Sequence, residues 1–142
     1  MSCFLINKNR IATKEYIEKA DHFFQGMRLL RDDVPAYRTS IGLLAIHSAI
    51  SLSDAIKSGT NGKRGKYQDH AQAAGELERL CVSTKVSDRK GITHLKWLIG
   101  QKSFVAYSQY RLDDTSVRQA VDKAERFNAW AYNSFKEVLR DL

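Results

Sequence analysis

Apolar side chains recur along most of this chain at the three- and four-residue spacing of α-helices, and no segment alternates apolar and polar residues as a strand would. A single proline and few glycines favour long helices joined by short connections. The pattern predicts five helices. They run from about Thr13 to Leu30, from Asp33 and Pro35 to about Ser58, from about Tyr67 to Val82, from about Lys90 to Ser108, and from a cap at Asp113 or Asp114 to about Arg140.

These elements predict an all-α fold. Helices that follow one another through short loops become neighbours in space, so we expect an up-down antiparallel four-helix bundle. The shorter third helix is the one additional element, lying across one end or flank. The length of 142 residues predicts a single domain over 1–142, large enough to bury a sizeable core.

The second predicted helix is apolar around nearly its whole circumference, as expected for the centre of a bundle, except along one polar stripe. Ser40, His47, Ser51 and Asp54 recur at heptad-like spacing and share one narrow face. Such groups must find partners inside the bundle, face a cleft or meet a second subunit. Two interpretations stay open. Either the stripe is a satisfied interior network, or it lines a polar cleft in which His47 acts as acid, base or phosphate donor.

A lysine interrupts the apolar face of the fourth predicted helix. Lys102 lies among apolar residues that recur at helical spacing, namely Leu95, Leu98, Ile99, Val105 and Ala106. A lysine in that position either extends its ammonium to the end of the bundle or pairs with an acid, for which Asp54 and Glu78 are candidates. We therefore group Lys102 with the polar stripe as a predicted cleft residue.

The charge balance of 23 Lys and Arg against 16 Asp and Glu, a net +7, favours acidic partners such as nucleotides or nucleic acid. The loop from Gly59 to Lys66 is not a Walker A motif, because its glycine spacing is wrong and a helix precedes it. As a basic loop at a helix N-terminus it predicts a phosphate contact, with a plain solvated loop as the alternative. The predicted phosphate-binding residues are Lys63, Arg64, Lys66, Arg89 and Lys90.

Other features of the composition exclude several classes of protein. Cys3 and Cys81 are far apart and form no CxxC pair, so a disulfide scaffold is not expected. The N-terminus lacks a long apolar signal region, and the apolar stretches fall short of about 18 residues, so we expect no membrane span and a cytoplasmic location. The four histidines have no metal-ligand spacing, and we expect neither metal nor cofactor.

Several of these features together resemble one family. Residues 94–107 place a basic residue and a tyrosine near a helix end, and residues 113–120 then give an acidic cap and an alanine-rich last helix. This pattern resembles the HEPN superfamily, the higher eukaryote and prokaryote nucleotide-binding domains, over about residues 37–135. The matching positions are Lys102, Tyr107, Asp114, Ala120, Ala124 and Phe127. The resemblance implies an up-down helical bundle that is often dimeric.

The same resemblance sets the functional alternatives. Some HEPN members are ribonucleases with an Arg-x(4–6)-His motif, and others bind nucleotides or RNA or partner nucleotidyltransferases. This chain has Arg89-x4-His94 and Arg64-x5-His70, neither placed just before the last helix as in those ribonucleases. We therefore expect a non-catalytic module, a homodimer, that binds nucleotide or RNA phosphate. The alternatives are a metal-independent ribonuclease using Arg89 and His94, and a protein-partner subunit of a toxin–antitoxin or nucleotidyltransferase system.

Overall fold

The computed structural model describes residues 3–61, 72–107 and 112–140, and throughout these ranges the regular elements are helices, without a strand. The all-α prediction is confirmed. The helices are α1 (Cys3–Leu30), α2 (Val34–Asn61), α3 (Ala73–Ser83), α4 (Lys90–Tyr107), α5 (Asp114–Ser134) and α6 (Lys136–Arg140), with a 3-10 turn (Arg31–Asp33) between α1 and α2.

The first helix begins at Cys3, ten residues before the predicted start. Thr13 is therefore not at the start of the helix, where a threonine could act as N-cap. It lies inside α1, fully buried, and its hydroxyl is hydrogen-bonded at 2.9 Å to the hydroxyl of Ser58 on α2. Because a buried hydroxyl needs a partner, this bond fixes how α1 and α2 pack, rather than how α1 starts.

The start of α2 is irregular. The predicted start at Asp33 and Pro35 is close, since the 3-10 turn ends at Asp33 and α2 begins at Val34. Tyr37 then departs from helical geometry, with φ −127° and ψ 31°, so the helix is kinked before its apolar stretch begins. Beyond that kink α2 reaches Asn61, three residues past the predicted end.

The N-termini of the later helices are set by aspartates. The carboxylate of Asp88 accepts a hydrogen bond from the backbone N–H of Lys90 at 3.0 Å, where α4 begins. The carboxylate of Asp113 accepts one from the backbone N–H of Ser116 at 2.7 Å, so the predicted cap of the last long helix is confirmed. The predicted start of the third helix at Tyr67 lies outside the described residues.

The last predicted helix is wrong in one respect, because it is interrupted before Arg140. Phe135, with φ −127° and ψ 40°, ends α5, and the short α6 follows. Phe135 at the break and Leu139 on α6 both lie in the core, where each is 5% exposed. A continuous helix would place these residues, four apart, on one face along a single axis.

The core is centred on α2, which packs against α1, α3, α4, α5 and α6. One hydrophobic cluster joins buried residues of all six helices. Its largest fully buried side chains include Met27, Ile46, Leu98 and Phe127. Near the connection between α1 and α2, Arg31 pairs with Glu125 and Arg38 pairs with Asp114. These two ion pairs join that connection to α5.

Among the described residues, one helical run is long and apolar enough to be a candidate membrane span. It lies within Arg10–Thr60, where an 18-residue window has a mean hydropathy of 1.3 and is 67% buried within the protein. Polar residues interrupt this window, as expected from the sequence, and its mean hydropathy is nevertheless that of a candidate span. A buried core helix has the same length and composition, and the absence of a membrane span stays a prediction.

Candidate functional site

The polar stripe of α2 does not lie at one depth. Ser40 is exposed, His47 is half-buried with its ring 5.7 Å from that of Phe23, and Ser51 is 8% exposed. Asp54 is half-buried and contacts Lys57 on its own helix, with 3.4 Å between Oδ1 and Nζ. The stripe thus runs from the surface into the interior.

A buried lysine that the sequence analysis did not single out stands at the inner end of this stripe. Lys57 is 4% exposed, and its ammonium is 3.1 Å from a carboxylate oxygen of Glu76 on α3 as well as 3.4 Å from Asp54. Two carboxylates around one ammonium compensate the cost of its burial. The signal in the sequence is a lysine three residues after an aspartate in the most apolar helix of the chain.

The predicted partners of Lys102 are engaged elsewhere. Asp54 contacts Lys57, and the carboxylate of Glu78 is 3.6 Å from the ammonium of Lys96. Lys102 is half-buried, and no ion pair within 4.0 Å joins it to any residue that the structure describes. Of the two alternatives for Lys102, an ion pair with Asp54 or Glu78 is therefore not formed. Lys57 is the lysine whose burial is compensated by acids.

Arg89 and His94 turn towards different neighbours. The guanidinium Nε of Arg89 donates to the carbonyl oxygen of Val86 at 2.9 Å, and its charge acts on the buried thiol of Cys81 on α3. Burial raises the pKa of that thiol, and Arg89 opposes the rise. His94 instead faces α5. Among the described residues, no contact joins the two side chains of the Arg-x4-His pair.

Positive charge collects where α4 meets α5. His94 lies beside Lys123 and Arg126, and Lys90 precedes it by one helical turn on the same face of α4. Lys90 and Arg126 are exposed and Lys123 is half-buried. Among the described residues, the acid that acts on His94 is Asp122, whose carboxylate is 2.9 Å from Arg126 Nε. We call Lys90, His94, Lys123 and Arg126 the α4–α5 basic cluster.

The positive charge of this cluster affects the pKa of the His94 imidazole. Burial lowers its pKa below the usual 6.5, the charges of Lys123 and Arg126 lower it further, and Asp122 opposes them. Its Nδ1 atom is buried and lacks a hydrogen-bond partner within the described part of the chain. Protonation would add a charge to a positive region, so His94 is held neutral at pH 7.

The predicted phosphate residues fall into two groups. Arg89 and Lys90 flank the start of α4, and Lys90 belongs to the basic cluster. Lys63, Arg64 and Lys66 lie outside the described residues, as does His70 of the second Arg–His match. Sequence reasoning missed Lys123 and Arg126, because their proximity to His94 depends on how α5 packs against α4.

The exposed aromatic and apolar side chains give little support to a surface on which bases would stack or a partner protein would dock. Trp130 is 7% exposed, Trp97 is partly buried against the core, and Tyr110 lies outside the described residues. The exposed large apolar side chains are instead Ile11, Leu29, Tyr37 and Val82. In the described ranges, three or more His, Cys, Asp or Glu side chains nowhere converge as metal ligands.

Comparisons with protein-family models, with curated proteins and with solved structures find no significant match to this chain.

Proposed function

We propose that this protein is a non-catalytic module that binds the phosphate groups of RNA. The observation that carries the proposal is the α4–α5 basic cluster, where the charges of Lys123 and Arg126 both act on His94 and Lys90 precedes His94 by one helical turn. If these three cations share one surface, with Asp122 as the acid among them, they suit a polyanion whose phosphates are spaced along a chain. The net charge of +7 acts in the same direction over longer distances.

The predicted loop cations extend the same proposal. Lys63, Arg64 and Lys66 would add phosphate contacts, and Arg89 would contribute from the α3–α4 connection, where it is half-buried. Because phosphate contacts carry no sequence information, we expect binding with little dependence on base sequence.

The ribonuclease alternative has less support from the geometry. It needs Arg89 and His94 in one cleft, and Arg89 donates to Val86 while His94 faces α5. His94 is also held neutral at pH 7 by burial and positive charge, which disfavours the role of general acid and leaves that of general base.

The finer architecture belongs to the same proposal. We infer that α1, α2, α4 and α5 form an up-down antiparallel four-helix bundle of the HEPN type. Three of the six positions of that resemblance, Ala120, Ala124 and Phe127, are buried on one face of α5, as such a bundle requires. A homodimer and a cytoplasmic location complete the proposal, and light scattering of the purified protein tests the first.

The test of the function is an electrophoretic mobility shift with single-stranded RNA at low salt. The cluster variant Lys90→Gln/Lys123→Gln/Arg126→Gln is compared with Lys19→Gln/Arg79→Gln/Lys136→Gln, whose three cations are exposed on other helices. Both variants lose the same charge, so net charge alone would weaken both equally. The proposal expects the cluster variant to lose far more affinity.

Other outcomes of the same gel point to the alternatives. Cleavage in the presence of EDTA that is lost in His94→Ala would identify a ribonuclease. Intact, unshifted RNA at every concentration would remove the RNA proposal and leave the protein-partner hypothesis.

A further inference from the structure

A cleft of about 290 Å³ opens between α1, α5 and α6 and shares no residue with the α4–α5 basic cluster. Its volume is near the lower end of the roughly 300–1,000 Å³ of ligand pockets, which is room for one small molecule. Nothing in the RNA proposal requires this cleft, and it stands on observations of its own.

The floor of the cleft is apolar. It is formed by Ile17, which is half-buried, Leu139, which is 5% exposed, and the ring of Tyr132. Burial and the nearby carboxylate of Asp21 raise the pKa of the Tyr132 phenol, against the opposing charge of Arg140. The phenol therefore stays protonated at neutral pH and is available as a neutral hydrogen-bond donor.

Charges of both signs stand around this floor. Asp21 and Arg140 both act on Tyr132, and the guanidinium carbon of Arg140 lies 5.7 Å from the centre of its ring. Lys14 and Glu18 add one cation and one anion to the lining. The cleft thus presents two positive and two negative groups together.

These charged groups form no ion pair with one another among the residues that the structure describes. Within the described part of the chain, neither Lys14 nor Arg140 has a carboxylate within 4.0 Å. Asp21 accepts a hydrogen bond from the neutral amide of Gln25 at 3.3 Å, and Glu18 is 3.9 Å from His22. A purely anionic ligand would meet the two carboxylates and a purely cationic one the two cations, whereas a zwitterion satisfies both.

We propose that this cleft binds a free α-amino acid with an aliphatic side chain. Its ammonium would face Asp21, its carboxylate would face Arg140 and Lys14, and its side chain would cover Ile17 and Leu139. The ligand gains charge-assisted hydrogen bonds at its head and apolar burial at its side chain. Because the cleft is open to solvent, we expect weak binding, with a Kd of about 1 mM.

The test uses L-leucine as the probe and the tyrosine ring signals of the full-length protein as the NMR readout, with Tyr132→Phe to assign the ring of Tyr132. The proposal expects a saturable shift of the Tyr132 signal. Leucinamide lacks the carboxylate and N-acetyl-leucine lacks the ammonium, so each should bind at least about tenfold more weakly. Asp21→Asn should weaken leucine binding to the same extent, while Asp32→Asn, an exposed aspartate outside the cleft, should not.

Two results would overturn the proposal. One is the absence of any saturable shift of the Tyr132 signal up to about 20 mM leucine, twenty times the expected Kd. The other is equal binding of leucine, leucinamide and N-acetyl-leucine, which would show that only the apolar floor is recognised. Asp21 is exposed, so its substitution leaves the core intact, and an unchanged circular dichroism spectrum verifies this.

Discussion

The indole of Trp130 lies against the backbone of Gly91, so closely that a Cβ built on this glycine would be 2.1 Å from Trp130 Cδ2. The same indole donates its N–H to the carbonyl oxygen of Asp88 at 2.9 Å. Trp130 therefore joins α5 to the first turn of α4 by both packing and a hydrogen bond. This contact sets the position of Lys90 and His94 relative to Lys123 and Arg126.

Replacing Gly91 by alanine should destabilise the protein, because the new methyl group overlaps the indole and one of the helices must shift. Overpacking of this kind costs about 1–3 kcal/mol, and we expect the upper part of that range in urea unfolding. Gly100→Ala on the same helix is the matched control, since nothing lies within 4 Å of its Cβ position. It should stabilise α4 by about 0.5–1 kcal/mol, and equal effects of the two substitutions would contradict the packing described.

Replacing Lys57 by methionine should destabilise the fold through the two carboxylates left behind. Asp54 and Glu76 retain some access to water, with side chains 21% and 29% exposed, so we expect a loss of about 2 kcal/mol rather than the larger cost of a fully buried pair. Adding Glu76→Gln to Lys57→Met should recover part of the loss, which a double-mutant cycle measures. Lys96→Met breaks the exposed pair with Glu78 and should cost less than about 0.5 kcal/mol. A similar cost for both lysines would show that burial of Lys57 is unimportant.

The stability of the protein should fall as the pH drops below about 6.5 through His94. Its folded pKa is lowered, so the unfolded state binds more protons between the folded pKa and the unfolded value near 6.5. His94 therefore lowers the free energy of unfolding as the pH falls below 6.5, and above pH 6.5 it does not contribute to the pH dependence of stability. In His94→Gln this part of the pH dependence of the unfolding free energy should disappear.

The effect of the Lys123 charge on the pKa of His94 can be separated from the effect of burial by substitution. In Lys123→Gln, one of the two cations that lower the pKa of His94 is removed, so the NMR titration midpoint of the His94 ring should move upward. Burial remains the larger cause, and the midpoint should therefore stay below 6.5. A midpoint unchanged by this substitution would place Lys123 away from His94.

The sequence predicts the helices well, because their apolar spacing and their capping aspartates are local signals. Asp113 is recognisable as a cap from its neighbours alone. The predicted start at Thr13 is wrong because a threonine with an acid, Glu15, two residues later is also a local signal, typical of a helix start. The helix nevertheless continues through Thr13 from Cys3. The break at Phe135 has no glycine or proline to mark it, so no local signal in the sequence predicts it.

The candidate site is less predictable, because it depends on which helices meet. The spacing alone places Lys90 and His94 on one face of α4. The position of Lys123 and Arg126 relative to them depends on how Trp130 packs against Gly91. Lys57 and Lys102 illustrate the same point. Both are lysines on apolar helices, and only the approach of Glu76 from α3 decides which one is enclosed by acids.

The measurement that tests the central claim most directly is the salt dependence of RNA affinity, followed by fluorescence anisotropy of a labelled single-stranded RNA between about 50 and 200 mM KCl. Each phosphate contact contributes about −0.7 to the slope of log K against log salt for a single strand. We predict that Lys90→Gln/Lys123→Gln/Arg126→Gln makes this slope shallower by about 2, whereas Lys19→Gln/Arg79→Gln/Lys136→Gln leaves it unchanged. The same slope for both variants, or affinity that does not respond to salt, would contradict the assignment of RNA binding to the α4–α5 basic cluster.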